Sequence, residues 1–495
     1  MLHASCKAVH KPAAEDRIFP ARLGNGHDAA VYAFGGSTFF ALLLVGAGVV
    51  LSPKPASAVP SFARQTGQPC ATCHTAFPEL TPYGREFKLR GYTAGGTRCG
   101  NVAAEDKATQ IPIAGMTYPN FTHVQKGIPP GSGETGNDDL TAGGVSAFFG
   151  GQIYCNFGAL MQGTYDRPSE SLFWDNSDIR YANTTKVRGV DLVYGVTANN
   201  NPTVQDVWNT TPAWSYPYIA SEFAPAPGAS TMIQGTFAGR VGGVGGYVWI
   251  NNMVYAEITA YGSFDPGILA SLGYDPGDGS PRFAGAAPYW RLGLEKTWDK
   301  NSLMVGTFGM FANVQPTVGG DVPGANQLAF PGITDLFTDV GVDTEYQYIG
   351  DVHAFTLRAS YIWENQKLNG EFGAGVSSNP TDDLNSFNIS ASYIYNHTIS
   401  LTGGYFNTWG TSDVLLYTGA GFTTGSPNSS GETVDLAFLP FSYGGPRIWP
   451  WLNARIGILY THYNEFDGSV INVDMTPGLK ASDNDSILAY SWVVF

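Results

Sequence analysis

The chain has 495 residues and a formal charge of −15, which speaks against nucleic acid as a partner because an acidic surface repels a phosphate backbone. Charged residues make up 14% and aromatic residues 13%, glycine is frequent at 62, and mean hydropathy is near zero. No apolar run after residue 60 is long enough to cross a bilayer as a helix, which leaves strands as the means of spanning one.

The one strong apolar run, Thr38–Leu51, is too short and too early for a spanning helix. It is followed by Ala56-Ser57-Ala58, a small-residue cleavage signal, so residues 1–58 read as a secretory signal peptide. The long region before it, with Lys7, Lys11, Arg17 and Arg22, reads as a misplaced start or an extended leader. Export implies an oxidising compartment for the cysteines that remain.

Residues 59–110 carry the chemistry. Cys70-Ala71-Thr72-Cys73-His74 is a C-x-x-C-H motif, the attachment signature of a c-type haem. Two thiols three positions apart can each bond one vinyl group of the same porphyrin, and the next residue is held under the iron as proximal ligand. A redox dithiol would expect a βαβ context, and a zinc site would expect a second cysteine pair; neither is present. The motif therefore predicts one covalently bound haem c on Cys70, Cys73 and His74. The segment is too short for an independent cytochrome domain, so it should pack inside or against something larger.

The flanking residues carry a resemblance. Residues 60–67 read P-x-F-A-R-Q-T-G, and residues 78–92 read P-x-L-x-x-x-G-R-x-F-K-L-x-G-Y. With the haem motif between them they resemble the fused cytochrome–porin of the outer membrane in iron-oxidising bacteria, an Fe(II)-oxidising outer-membrane cytochrome c. The resemblance is close over residues 60–92 and looser beyond. It implies oxidation of Fe(II) at the cell surface and transfer of the electron inward to a periplasmic carrier, a cytochrome c or a copper protein.

Residues 93–110 are polar and Gly-rich and read as a linker. From residue 111 to 495 the chain alternates. Phe387, Ile389, Ala391, Tyr393 and Tyr395 form one face against Asn388, Ser390 and Ser392, and Val342, Thr344, Tyr346 and Tyr348 alternate with Asp343, Glu345 and Gln347. One face suits lipid and the other a wet lumen. A soluble sandwich would also alternate, but aromatic residues at strand ends and a final strand ending at Phe495 favour an outer-membrane barrel.

Short connections are expected near 155–156, 186–189, 242–245, 299–301, 350–351, 396–397 and 446–451. Long ones are expected near 127–143, 166–172, 199–228, 265–286, 317–332, 369–383, 411–432 and 469–483. The fold class is thus all-β: about 16 antiparallel strands, with the haem segment plugging the lumen. Short turns and both barrel ends should face the periplasm, and long loops the outside.

The remaining candidates are fewer. Met116 and His123 could supply a sixth iron ligand; seven positions apart, they fall on opposite strand faces, so at most one enters the lumen. An empty or water-bound position is the third alternative. Arg64, Arg85 and Lys88 are candidates for haem propionates, with Arg90 nearby. His353, His397 and His462, beside turns or at strand ends, read as solvated. Asp138, Asp139, Asp275, Asp278 and Asp321 in long loops could attract iron. Cys99 and Cys155 are expected to share the periplasmic side and to pair. Two other functions remain open: a diffusion porin with a structural haem plug, or an electron conduit with a different donor.

Overall fold

The computed structural model describes residues 60–96, 111–126, 138–166, 171–276, 280–318, 327–328, 332–417, 424–446, 449–473 and 476–495. The leader 1–58, Cys99 with most of the linker, and loop residues Asp278 and Asp321 lie outside them.

Three short helices come first: α1 (Pro60–Thr66), α2 (Cys70–Cys73) and α3 (Pro82–Leu89). The strands are β1 (Ile113–Thr117 continuing as Asn120–Val124), β2 (Asp139–Thr141 continuing as Val145–Tyr154), β3 (Phe157–Asp166), β4 (Ser171–Val187), β5 (Val190–Asn199), β6 (Val241–Ile250), β7 (Val254–Ser263) and β8 (Ala287–Trp298). Then follow β9 (Asn301–Gln315), β10 (Asp335–Ile349), β11 (His353–Lys367), β12 (Thr381–Tyr395), β13 (Ile399–Gly410), β14 (Ser429–Phe438), β15 (Asn453–Glu465) and β16 (Ser486–Val494).

Each strand pairs antiparallel with the next, and β1 pairs with both β2 and β16: Met116 stands opposite Ser146 on one side and Val494 on the other. The sheet is therefore closed and has no open edge, the form in which strands can cross lipid. Among the described residues, nineteen hydrogen-bonded segments make sixteen strands. Two strands are interrupted, at Tyr118-Pro119 and at 142–144, and the two-residue segment Arg282–Phe283 precedes β8.

The expected alternation explains both surfaces. On β10, Asp339, Asp343, Glu345 and Gln347 face inward and are buried, whereas Val342 and Tyr348 are exposed. Leu292, Val305, Val342, Ile389, Leu436 and Ile458 make an apolar outer band. Tyr348, Phe355 and Tyr393 stand in register near the short turns. The stacked pairs Trp290–Phe311 and Tyr361–Trp409 lie nearer the long loops. Two aromatic girdles around an apolar band mark a membrane-spanning barrel.

Two readings of connections need correction. Residues 242–245 are not a turn but the start of β6, and the turn falls at Asn251 and Asn252, both with left-handed φ. The glycines are there for space: a Cβ on Gly243 would collide with the ring of Tyr261, and one on Gly245 with Thr259. The connection after β5 extends to residue 240 and does not stay outside. Its Thr210 bonds Asp343, its Ile233 N–H donates to Asp339 at 2.8 Å, and its Gly228 N–H donates to Asp467 at 2.8 Å.

The lumen thus holds two bodies. Residues 60–96 occupy the half nearer the short turns, touching the wall at Gln152, Asp178, Tyr247, Glu295, Glu345 and Arg455. Residues 200–240 fill the half nearer the long loops. A core of Leu89 from the first, Val207 and Trp208 from the second, and Tyr247, Tyr255 and Met304 from the wall joins all three.

Candidate haem site

The C-x-x-C-H stretch is shaped by its own hydrogen bonds. Cys70–Cys73 make one helical turn, and the His74 N–H closes it on the Cys70 carbonyl at 2.9 Å. His74 is extended and bridges to Leu80. Thr81 returns the chain: its N–H donates to the Cys73 carbonyl at 2.9 Å and its Oγ1 to the Thr72 carbonyl at 2.7 Å. The same hydroxyl accepts from the Gly84 N–H and caps α3. Gly84 is needed because a Cβ there would strike the Cys73 carbonyl oxygen. The spacing between the haem motif and the G-R pair is therefore a packing requirement.

Beside this turn lies a cavity of about 460 Å³. Cys73, His74, Phe77, Leu80 and Phe87 line it from the haem segment, Met116, Phe148, Leu160 and Trp492 from the wall, and Asn209, Trp214 and Tyr218 from the infolded connection. Most of its lining surface is apolar, as suits a porphyrin, with Lys88, Gln162, Asp175, Asn176, Asp206 and Asn209 among its polar side chains. Cys70 packs one turn away against Ala63, and no disulfide joins it to Cys73. Burial pushes the Cys73 thiol up to about 12, which keeps it protonated at neutral pH.

Burial also pushes the His74 imidazole down to about 4, which leaves it neutral at neutral pH, the form that ligates metal. The Pro78 and Glu79 backbone and the Glu79 charge oppose that shift without giving Nδ1 an aligned bond. The ring nitrogen Nδ1 is buried without a hydrogen-bond partner among the described residues. A buried polar nitrogen in that state is costly. A mostly apolar chamber with the Cys73 thiol and the His74 imidazole on its wall would accommodate a c-type haem; Cys70, one turn back, does not line it.

The other predicted residues divide. Met116 is 8% exposed and lines the cavity, its Sδ accepting from Trp492 Nε1 at 2.7 Å. His123 faces away and pairs with Asp138 at 2.6 Å, so of the two distal candidates the wall turns only Met116 inward. Lys88 lines the cavity, but its Nζ donates to the carbonyls of Val204 at 2.7 Å and Asp206 at 2.8 Å. Burial pushes that ammonium down to about 8, against the pull of Asp178.

Arg64 and Arg85, read as possible propionate partners, do not line the cavity. Arg64 donates to the backbone carbonyls of Ile111 and Ile113 and sits 5.5 Å over the Trp451 ring. Arg85 is buried and spent on Glu295 at 2.6 Å and Glu345 at 2.9 Å, locking the segment to the wall. Arg90 pairs locally with Glu86.

His397 is buried rather than solvated: its Nδ1 lies 3.1 Å from the Thr75 carbonyl, next to His74. His353 and His462 sit on Tyr393 and Asp485. Cys155 is disulfide-bonded; Cys99 is outside the described residues. Among the described residues, no group of three His, Cys, Asp or Glu side chains is placed to hold a metal ion.

Asn209, Trp214 and Tyr218 were missed because their stretch was read as an outer loop. One signal was available. Residues 200–240 carry six aromatic side chains and only three charges, Asp206, Glu222 and Arg240, a composition poorly suited to a solvated loop.

No family model matches the chain, and no curated protein matches it. Among solved structures, it is similar to OmpF of Salmonella typhi in complex with daunomycin, with 14% identity, TM-score 0.42, and coverage of 77% of this chain and 97% of that one. It is also similar to the channel DcaP of Acinetobacter baumannii, with 12% identity, TM-score 0.41, and coverage of 77% and 96%. A loop-deletion mutant of OmpT of Vibrio cholerae gives 14% identity, TM-score 0.39, and coverage of 77% and 97%. The barrel assignment rests on the strand pairing above and not on these likenesses.

Proposed function

We propose that the protein is an outer-membrane cytochrome that takes electrons from Fe(II) outside the cell and delivers them to a soluble carrier in the periplasm. The observation that carries this reading is the cavity beside Cys73 and His74, enclosed within a lipid-facing barrel. A haem bound there would accept one electron at a time, which matches what Fe(II) supplies. The barrel provides the route through lipid, and the two lumen bodies leave the electron rather than the ion to cross. That division suits a donor whose oxidised product precipitates. On this reading the short turns and both barrel ends face the periplasm, and the long loops face outside. Among the cavity-lining side chains, Lys88, Gln162, Asn176 and Asn209 carry donors that would serve the propionates, and a Cys99–Cys155 bond pins the haem segment to the barrel base.

Mixing oxidised purified protein with Fe(II) tests the reading. The haem bands should shift to the reduced form rapidly. Reduction by dithionite but not by Fe(II) would instead indicate a porin with a structural haem plug, or a conduit for another donor. Thiol labelling of the denatured, unreduced mature protein tests the bridge: labelling at Cys99 or Cys155 without reductant would rule it out.

A further inference from the structure

Met116 and Trp492 meet across the seam that closes the barrel. Met116 lies on β1 opposite Val494 of β16, and Trp492 lies two residues before Val494. The Trp492 indole N–H donates to Met116 Sδ at 2.7 Å. The same indole packs edge-on against Phe77 at 4.7 Å, and Phe77 packs edge-on against His74 at 5.4 Å. All four side chains line the cavity.

We infer that Trp492 is a positioning residue for the distal haem ligand: its N–H fixes the Met116 thioether and tunes how strongly that sulfur donates. The inference rests on Met116 being the ligand. Methionine is unbranched with three rotatable bonds, so a free thioether samples many positions. A sulfur has two lone pairs, and a hydrogen bond to one leaves the other for iron while restricting rotation. The N–H also withdraws density from sulfur. A weaker donor favours the ferrous over the ferric form, so the bond raises the reduction potential, the direction an Fe(II) oxidant needs. Because the two partners sit on the first and last strands, the ligand is set only once the seam has closed.

The test uses the full-length haem-loaded protein. Met116→Leu should remove the sulfur-to-iron charge-transfer band of the oxidised form and lower the midpoint potential. Trp492→Phe keeps a ring against Phe77 but loses the N–H. It should shift that band, lower the potential by less than Met116→Leu, and speed displacement of the ligand by added imidazole. In the Met116→Leu background Trp492→Phe should shift the potential no further. An equal shift in both backgrounds would show a structural effect and overturn the inference. So would an unchanged band and potential in Trp492→Phe while Met116→Leu alters both, a result that leaves the Met116 reading standing. No change in Met116→Leu would overturn that reading and the inference with it. Should Trp492→Phe fail to assemble, benzothienylalanine at position 492 keeps the indole shape without the N–H and is read against the same outcomes.

Discussion

The two bodies inside the barrel are held in different ways. The haem segment is fastened by buried charge. Arg85 spans Glu295 and Glu345, and Glu79 takes Arg358 at 3.1 Å and Ser392 at 2.9 Å. The infolded connection is fastened mostly by its backbone and its rings, with one buried ion pair, Asp206 to the wall's Arg291 at 3.3 Å. Amides of Met232 and Ile233 donate to Glu364 and Asp339, and Trp208, fully buried, packs against Trp249 and Tyr255. Lumen-facing carboxylates thus serve both, as ion-pair partners below and as amide acceptors above. A wall built to be wet is reused as a socket: Glu295, Glu345, Asp339 and Glu364 find donors in the body in front of them, whereas Asp435 and Glu257 are satisfied within the wall by Arg455, Tyr490, Tyr255 and Thr259.

The largest expected effect separates the two bodies completely. Cys73→Ala removes the thiol that lines the cavity and should abolish covalent haem and all Fe(II) oxidation, measured by haem staining and by absorption after Fe(II) addition. The wall and the infolded connection share no contact with that thiol that they need for pairing. The variant barrel should therefore keep its heat-dependent gel mobility. Normal Fe(II) oxidation by Cys73→Ala would defeat the functional reading.

Smaller substitutions should loosen one body at a time. Arg85→Ala leaves Glu295 and Glu345 buried short of a partner, a loss of about 3–5 kcal/mol. Limited proteolysis should then cut residues 60–96 first. Arg90→Ala breaks only a half-exposed pair with Glu86 and should cost about 0.5 kcal/mol or less. Trp208→Ala opens a void of comparable cost, about 3–5 kcal/mol, but the cuts should move to residues 200–240. Identical cleavage maps for Arg85→Ala and Trp208→Ala would mean the lumen contents unfold as one unit.

The wall was legible because every strand meets the same two environments, lipid and lumen, at a period of two. Val342 against Asp343 repeats what Ile389 against Ser390 says. Where space rather than polarity decides, the pattern failed: Gly243 and Gly245 looked like turn residues, although they make room for Tyr261 and Thr259. The lumen contents meet irregular surroundings, so no period marks them. Residues 60–92 stood out through a motif whose chemistry constrains spacing, down to Gly84 against the Cys73 carbonyl. Residues 200–240 carried only a shortage of charge. Arg85 illustrates the limit within the motif itself: a basic residue near a haem reads as a propionate partner, and only the three-dimensional positions of Glu295 and Glu345 show its actual use.

The most local effect tests the outer rim, where Leu416 and Tyr417 share a buried cluster with Met232 and Ile233 of the infolded connection. Asp413, in the connection after β13, gathers N–H donors from Ser378, Asn379, Leu415 and Leu416 at 2.8–3.0 Å and the Ser377 hydroxyl at 2.7 Å. It thereby ties the 368–380 and 411–428 connections together. Burial alone would raise its carboxyl, but these donors outweigh burial and hold it well below the usual carboxylate range. A depressed folded value stabilises the ionised form. The tie is therefore fully present above the unfolded carboxylate value of about 3.9 and is lost as pH falls below that toward the folded value. Asp413→Asn should cost about 2 kcal/mol of local stability at pH 7, read as faster hydrogen exchange at Leu415 and Leu416. The gap between wild type and variant should narrow below about pH 4. Asp382, the nearest other carboxylate, is held by Asn379 but also interacts with Asp413, so the comparison is made in an Asp382→Asn background, which removes that group's titration from both proteins. A gap that stays constant from pH 7 to pH 2 would show that the Asp413 charge is not what joins the two connections.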